Sequence, residues 1–482
     1  MITNQIIDYI KQQTQAGKTK EEIETSLFNA GWRKTDINEA FKSIRPKKKL
    51  LKKIILIFIG SVIGLFLLIL FLPNILSLFS KDIPPIDDSD LQLKKIEIPR
   101  EQNAYYDLIK LGGDINEPKN IVHETTAVQD YINGKSWDDN LIENILSQNT
   151  EAFTYFTEAT DKPKFQDPNF SDSAKIKPTV IVISLNSWRQ ASRLSVLKAL
   201  FLLKQGKDKE AFDEVFKSIK IGQKIQESQC SVIEYLVGIG IKKIGLEALQ
   251  KIIASSKLES NELKKYAETL NEFYKNEEGL ISMWKEQYSE QIWAINSVVS
   301  GDKNILSEED NFSSREIKNN FYFKPNKTKA LFVEYTRENI KNAEKPCNLI
   351  EKREIKELAP ESKIKMYVTE NAVGKVITDI VAASLGSIND KKCQDDLLVA
   401  VAQLLFALKA YKNDTGNLPV SLINLVPQYI SSVPSDPFDG KPIRYSSTKK
   451  ILYSVGEDNI DSGGSTGESW STMPDPTFKI DF

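Results

Sequence analysis

The sequence predicts a mainly α-helical protein that ends in a small α+β module, and three observations lead there. Ile54–Leu72, IILIFIGSVIGLFLLILFL, is apolar without a charge. Residues 1–44 and 101–390 repeatedly place apolar side chains at helical spacing. After residue 395 one apolar helical stripe gives way to short strand-like segments between Asp-Pro and Asp-Gly turns. The resulting order is a three-helix module (1–44), one transmembrane helix (54–79), a linker (80–100), a large helical, repeat-like domain (101–390) and an α+β module with a small antiparallel sheet (395–482).

The first module rests on apolar faces and stop signals. Ile2, Ile6, Ile7 and Ile10 share a helical face, and Gly17 ends that helix. Thr19 with Glu22 forms a capping box for the second, which Gly31 stops. Thr35 opens the third, with Ile37, Phe41 and Ile44 inward. The string KTKEEIETSLFNAGWRKTDINEAF resembles small ubiquitin-associated-like three-helix folds, in particular bacterial versions placed just before a membrane anchor. That resemblance implies contacts with other proteins.

The apolar run would span roughly 28 Å as a helix, close to the hydrocarbon thickness of a bilayer. Its flanks differ in charge. Residues 1–53 hold 12 Lys/Arg against 6 Asp/Glu, whereas the whole chain carries −2, so the remainder carries −8. Arg45, Lys47, Lys48, Lys49, Lys52 and Lys53 crowd the near side, and Asp82, Asp87, Asp88 and Asp90 follow the far side. This is the positive-inside pattern, with the N-terminus cytoplasmic and the large part extracytoplasmic. The run begins too far from Met1, and is too long, for a cleaved signal peptide. The basic cluster lacks interleaved aromatics, so its partner is the lipid bilayer and no nucleic acid.

Pro84-Pro85 and the acidic run make 80–100 an extended, solvated linker. Residues 124–160 carry two periodic segments around Gly134, and Pro163, Pro168 and Pro178 break the pattern. LKALFLLKQGKDKEAFDEVFKSIKIG, within 187–226, resembles one tetratricopeptide-type helical hairpin, without a clean 34-residue recurrence beside it. VIEYLVGIGIKKIGLEALQKII reads as a buried helix, interrupted by Lys242-Lys243, whose Gly238, Gly240 and Gly245 suit close helix packing. Pro325-Asn326 precedes a helix at about 328–344. Asn371 is the candidate N-cap of another over 371–388.

In the last module Leu397, Leu398, Val401, Leu404, Leu405, Leu408 and Tyr411 make an apolar stripe. PIRYSS, KKILYSVG and FKIDF read as strands. The order ALKAYKNDTGNLP, LVPQYI, DPFDGKPIRY, ILYSVGEDNIDSGG resembles the soluble domain of type II secretion major pseudopilins over about 85 residues. The resemblance implies a long helix on a small sheet and a Ca2+ loop. By position Asp458 and Asp461 are the implied ligands, with Glu457 beside them. Calcium needs several oxygen donors, and Gly463-Gly464 lets carbonyls turn inward. The chain departs from that family where a pilin keeps its membrane helix. Here the apolar run lies some 320 residues upstream, and RPKKKLLKKIIL lacks a prepilin cleavage junction.

Catalysis leaves no recognisable pattern: GxSxG, HExxH, a Walker loop and CxxC are absent, and His123 is the single histidine. Ser192 and Lys198, six positions apart, fall on different helical faces. Glu308, Glu309 and Asp310 read as a solvated loop. Of Cys230, Cys347 and Cys393, either none is bridged or Cys347 pairs with Cys393. The sequence thus points to a membrane-anchored bacterial cell-envelope protein, not an enzyme, that binds or scaffolds protein partners, with a link to secretion or pilus-like machinery. The alternatives are an extracytoplasmic hydrolase with an unrecognised site and a receptor signalling to the N-terminal module.

Overall fold

A computed structural model describes residues 4–44, 48–112, 125–168, 178–274, 277–300, 318–351, 358–465 and 474–482. They form two compact units, 1–80 and 81–482.

The first unit begins with α1 (Asn4–Gln15), α2 (Lys20–Asn29) and α3 (Lys34–Ile44). Ile6, Ile10, Ile23, Leu27, Ile37 and Ala40 close one core among them. The capping box is present. Thr19 N donates to Glu22 Oε2 at 2.8 Å and Glu22 N to Thr19 Oγ1 at 3.4 Å. Gly17 and Gly31 take positive φ where α1 and α2 stop, a conformation that a Cβ would strain.

Next comes α4 (Lys48–Phe79), continuous for 32 residues. Here the expectation of a membrane span is not matched by the described residues. Among the described residues no helix is long and apolar enough to cross a membrane. The described apolar side chains of α4 are bare: Leu56, Ile57 and Phe58 are each about two-thirds exposed.

The second unit runs through α5 (Tyr105–Leu108), α6 (Thr125–Asn133), α7 (Asp139–Gln148) and α8 (Thr150–Asp161). Three helices therefore stand where two periodic segments were expected. The second segment divides at Asn149, which is buried and donates from Nδ2 to the Ile145 carbonyl at 2.7 Å where α7 ends. The hairpin α9 (Pro178–Lys204) and α10 (Asp208–Gln226) turns at Gly206, φ +75°. Then follow α11 (Val232–Ser255), α12 (Ser260–Thr269), α13 (Glu277–Ser300), α14 (Pro325–Ala343), α15 (Lys363–Val368), α16 (Ala372–Leu385) and α17 (Ile388–Thr415).

α10 and α11 pack backbone to backbone. A Cβ on Gly222 would lie 2.5 Å from Lys242 N and 2.6 Å from the Gly238 carbonyl. A Cβ on Gly245 would lie 2.8 Å from Ile219. Gly240 has no such neighbour and meets only the Arg189 side chain at 3.8 Å.

α17 is the centre of the unit. Every residue from Leu397 to Leu408 is buried, so the expected one-sided stripe extends round the helix, with Gln403 its one polar residue. It passes through 390–395 without a break. Its side chains share one core with α10, α11, α12 and the sheet residues Leu452 and Phe478. The sheet is antiparallel, in the order β1 (Arg444–Ser446), β2 (Ile451–Tyr453), β3 (Thr477–Lys479). Leu452 pairs with Tyr445 and Phe478.

The expected free linker is instead fastened down. Asp82 accepts from Asn326 N at 2.7 Å and Lys327 N at 3.1 Å, a carboxylate on the first turn of α14. Tyr288 Oη donates to Asp88 at 2.5 Å, Arg337 holds Asp90, and Gln229 exchanges hydrogen bonds with the backbone at Lys94 and Ile96. Its acidic residues face partners far away in sequence, which composition could not show. Asn371 differs too. It precedes α16 at φ +56° without capping it, and its Oδ1 accepts from Lys324 N.

Candidate functional site

The implied calcium loop follows β2. Asn459, Gly463 and Gly464 take positive φ and fold it into short turns. Those turns engage one oxygen of each expected Asp ligand. Asp458 Oδ1 accepts from Ile460 N at 2.9 Å and Asp461 Oδ1 from Gly463 N at 3.0 Å. Asp461 Oδ2 also lies 3.5 Å from Arg444 Nε, and Glu457 accepts from Gln394 at 2.8 Å. The three are not brought together. Among the described residues no group of three His, Cys, Asp or Glu side chains is arranged to hold a metal ion.

Two carboxylates organise this end, Asp436, which the sequence marks only as a turn residue, and Asp475. Asp436 is fully buried and accepts from Ser454 Oγ, Val455 N, Phe438 N and Arg444 Nη1. Asp475, also fully buried, accepts from Ser462 N and Gly464 N at 2.8 Å each. Arg444 joins Asp436 to Asp439 and holds the Asp439 carboxyl below the usual carboxylate range.

A second cluster sits where α10, α11 and α17 meet. Lys242, interrupting an apolar helix, is completely buried. Its Nζ donates to Asp395 Oδ2 at 2.7 Å, Gln223 Oε1 at 2.8 Å and the Phe273 carbonyl at 2.8 Å. One turn along, Lys392 pairs with Asp396 at 2.8 Å, and Cys347 is bonded to Cys393 with 5.8 Å between Cα atoms. Burial, then the Asp395 and Asp396 charges, push the Tyr235 hydroxyl far up. With side chains 1% and 4% exposed, the Lys242–Asp395 pair meets no solute. Its three fixed acceptors set the register of the helices.

The third cluster has carboxyls with raised pKa. Burial, then the Asp167 charge, lifts Glu234 to about 7. Burial, then Glu290 and Glu234, lifts Glu286 to about 8. Such groups can donate protons near neutrality. Glu234, however, is spent on capping its own helix at Ser231, and both are 4% exposed. The nearby cleft, about 550 Å³, is lined by Gln166, Lys224, Gln229, Glu277 and Ser282. Burial, then Lys220, brings Lys224 down to about 8. Its Nζ donates to the Thr160 and Ala159 carbonyls, closing the C-terminal end of α8. A Glu inside VIEYLVG and the i, i+4 pair Glu286–Glu290 were the available signals.

Ser192 and Lys198 are not partnered. Ser192 is buried, whereas Lys198 pairs with Glu214 at 3.2 Å and lies over Phe153. His123 and Glu308–Asp310 lie outside the described residues. No family model matches the chain, and neither does any curated protein or solved structure.

Proposed function

We propose that this is a single-pass membrane protein of a bacterial cell envelope, whose 81–482 body stands outside the membrane and binds or scaffolds protein partners. The observation that carries the reading is α4: a 32-residue helix whose described apolar side chains are bare from Ile54 to Leu68. In water that surface costs about 25 cal/mol per Å² of apolar area, so it needs a covering phase. The basic residues before it and the acidic ones after it favour a cytoplasmic N-terminus. The Cys347–Cys393 bond suits an oxidising exterior. The binding role is supported by a cross-linked helical body with open grooves of about 540 to 590 Å³ between its helices.

The test is alkaline extraction of membranes with protease treatment of intact and lysed cells. The full chain is expected to stay with the membrane pellet. Protease on intact cells is expected to digest 81–482 and spare 1–44. Release of the chain by alkali, or protection of the large part in intact cells, overturns the proposal.

A further inference from the structure

We propose that a pocket between α6, α9 and α11 binds a small, multiply charged phosphate compound. The pocket holds about 580 Å³, and Arg189, Arg193, Lys243 and Lys251 converge on it. The one carboxylate among its described lining residues, Glu247, is taken by Lys243 at 3.6 Å. The 81–482 body is otherwise acidic, so this is a local concentration of unbalanced positive charge.

The arginines carry the argument. They stand four residues apart on α9, so both guanidinium groups project from one face, an arrangement in which like charges repel. Among the described residues neither forms an ion pair or a hydrogen bond. Arg193 is half-buried, and a partly buried, unpaired guanidinium loses hydration without compensation. Burial, then the Arg189 charge, lowers its pKa, and burial lowers that of Lys251. Elsewhere in the body the strongly placed arginines are satisfied: Arg337 by Asp90 and Arg444 by Asp436 and Asp439. The difference points to an anion that no described residue supplies.

The shape narrows the class. Guanidinium forks match phosphate oxygens in pairs, and two forks beside the Lys251 ammonium, which also donates to the Ile132 carbonyl, suit more than one negative charge. Gln129, Asn133 and Gln250 add neutral polar groups at the wall, and Leu200 and Phe478 add apolar surface for the remainder of a small molecule.

The site is independent of the tether reading, which is decided by membrane extraction. The experiment titrates inorganic pyrophosphate into the full chain in an uncharged detergent at low salt, followed by calorimetry and melting temperature. Saturable one-site binding that weakens as salt is added is expected. Arg189→Gln and Arg193→Gln are each expected to weaken it at least about tenfold. Without the anion, Arg193→Gln should melt no lower than the parent, because it relieves repulsion, whereas a purely structural arginine would lower it. Parent chain that does not bind pyrophosphate, or a double variant that binds it equally well, overturns the proposal. Repeating the titration in phosphatidylglycerol and phosphatidylcholine nanodiscs separates the sources. Competition by phosphatidylglycerol supports a lipid headgroup as donor of the phosphate, and its absence supports a soluble compound.

Discussion

Asp395→Ala is the most informative single change in the body. It removes the counterion of Lys242 and leaves the ammonium sealed in the core. At 2.7 Å the pair attracts by about 6 kcal/mol with an effective dielectric of about 20. That gain is set against several kcal/mol of lost hydration for each ion. The intact pair therefore contributes little net stability, whereas the half-pair is costly. Gln223 and the Phe273 carbonyl still accept from Nζ, but they are neutral. The expected loss is about 3–5 kcal/mol, and the Lys242→Met/Asp395→Leu double variant should recover most of it. Urea unfolding of the full chain in detergent, read by fluorescence of the buried Trp188 and Trp284, measures both. An Asp395→Ala loss below about 1 kcal/mol, or a double variant as unstable as the summed singles, would refute the buried-pair reasoning.

Three further outcomes follow from the same packing. Glu234 and Glu286 have folded pKa values raised to about 7 and about 8. Their contribution is therefore complete below about pH 4.5 and is lost as pH rises through 7 to 8. Melting temperature should fall over that interval, and Glu286→Gln should flatten the fall; an unchanged slope would contradict it. Reducing Cys347–Cys393, which closes a 46-residue separation, should cost about 4 kcal/mol on chain-entropy grounds; melting with and without dithiothreitol tests this. Gly222→Ala drives a Cβ into the α11 backbone and should cost about 1–3 kcal/mol in the same urea assay. An unperturbed midpoint would show that the helices part freely.

Local signals were legible in the sequence where a short stretch decides its own structure. Thr19 and Glu22 lie three residues apart and cap α2 as their spacing indicates. Gly206 turns the α9–α10 hairpin, and Tyr445, Leu452 and Phe478 mark three strands that pair. Gly238 and Gly245 sit at a close helix contact as expected, but the third participant, Gly222, lay unremarked in the neighbouring helix. What stayed hidden depends on partners remote in the chain. Lys242 looked like a helix interruption, because its counterion is 153 residues away. Asp82, Asp88 and Asp90 looked like a solvated run until α13 and α14 supplied a backbone, a tyrosine and an arginine. Asp458 and Asp461 had the composition of a calcium loop. Composition does not reveal that one oxygen of each is turned onto an amide two residues downstream. The arginine pocket escaped notice because its four cations come from two helices.

The burial of α17 has a consequence for the order in which the protein is made. The helices that enclose it, α10 to α12, leave the ribosome first, and Lys242 precedes Asp395 by 153 residues. At ordinary elongation rates the earlier helices wait on the order of ten to thirty seconds for the strand of chain that fills them. During that interval their inner faces are open, and the amine destined for the core still has its water. The newborn chain thus passes through a stage with a helix-shaped vacancy, closed only when its last fifth arrives.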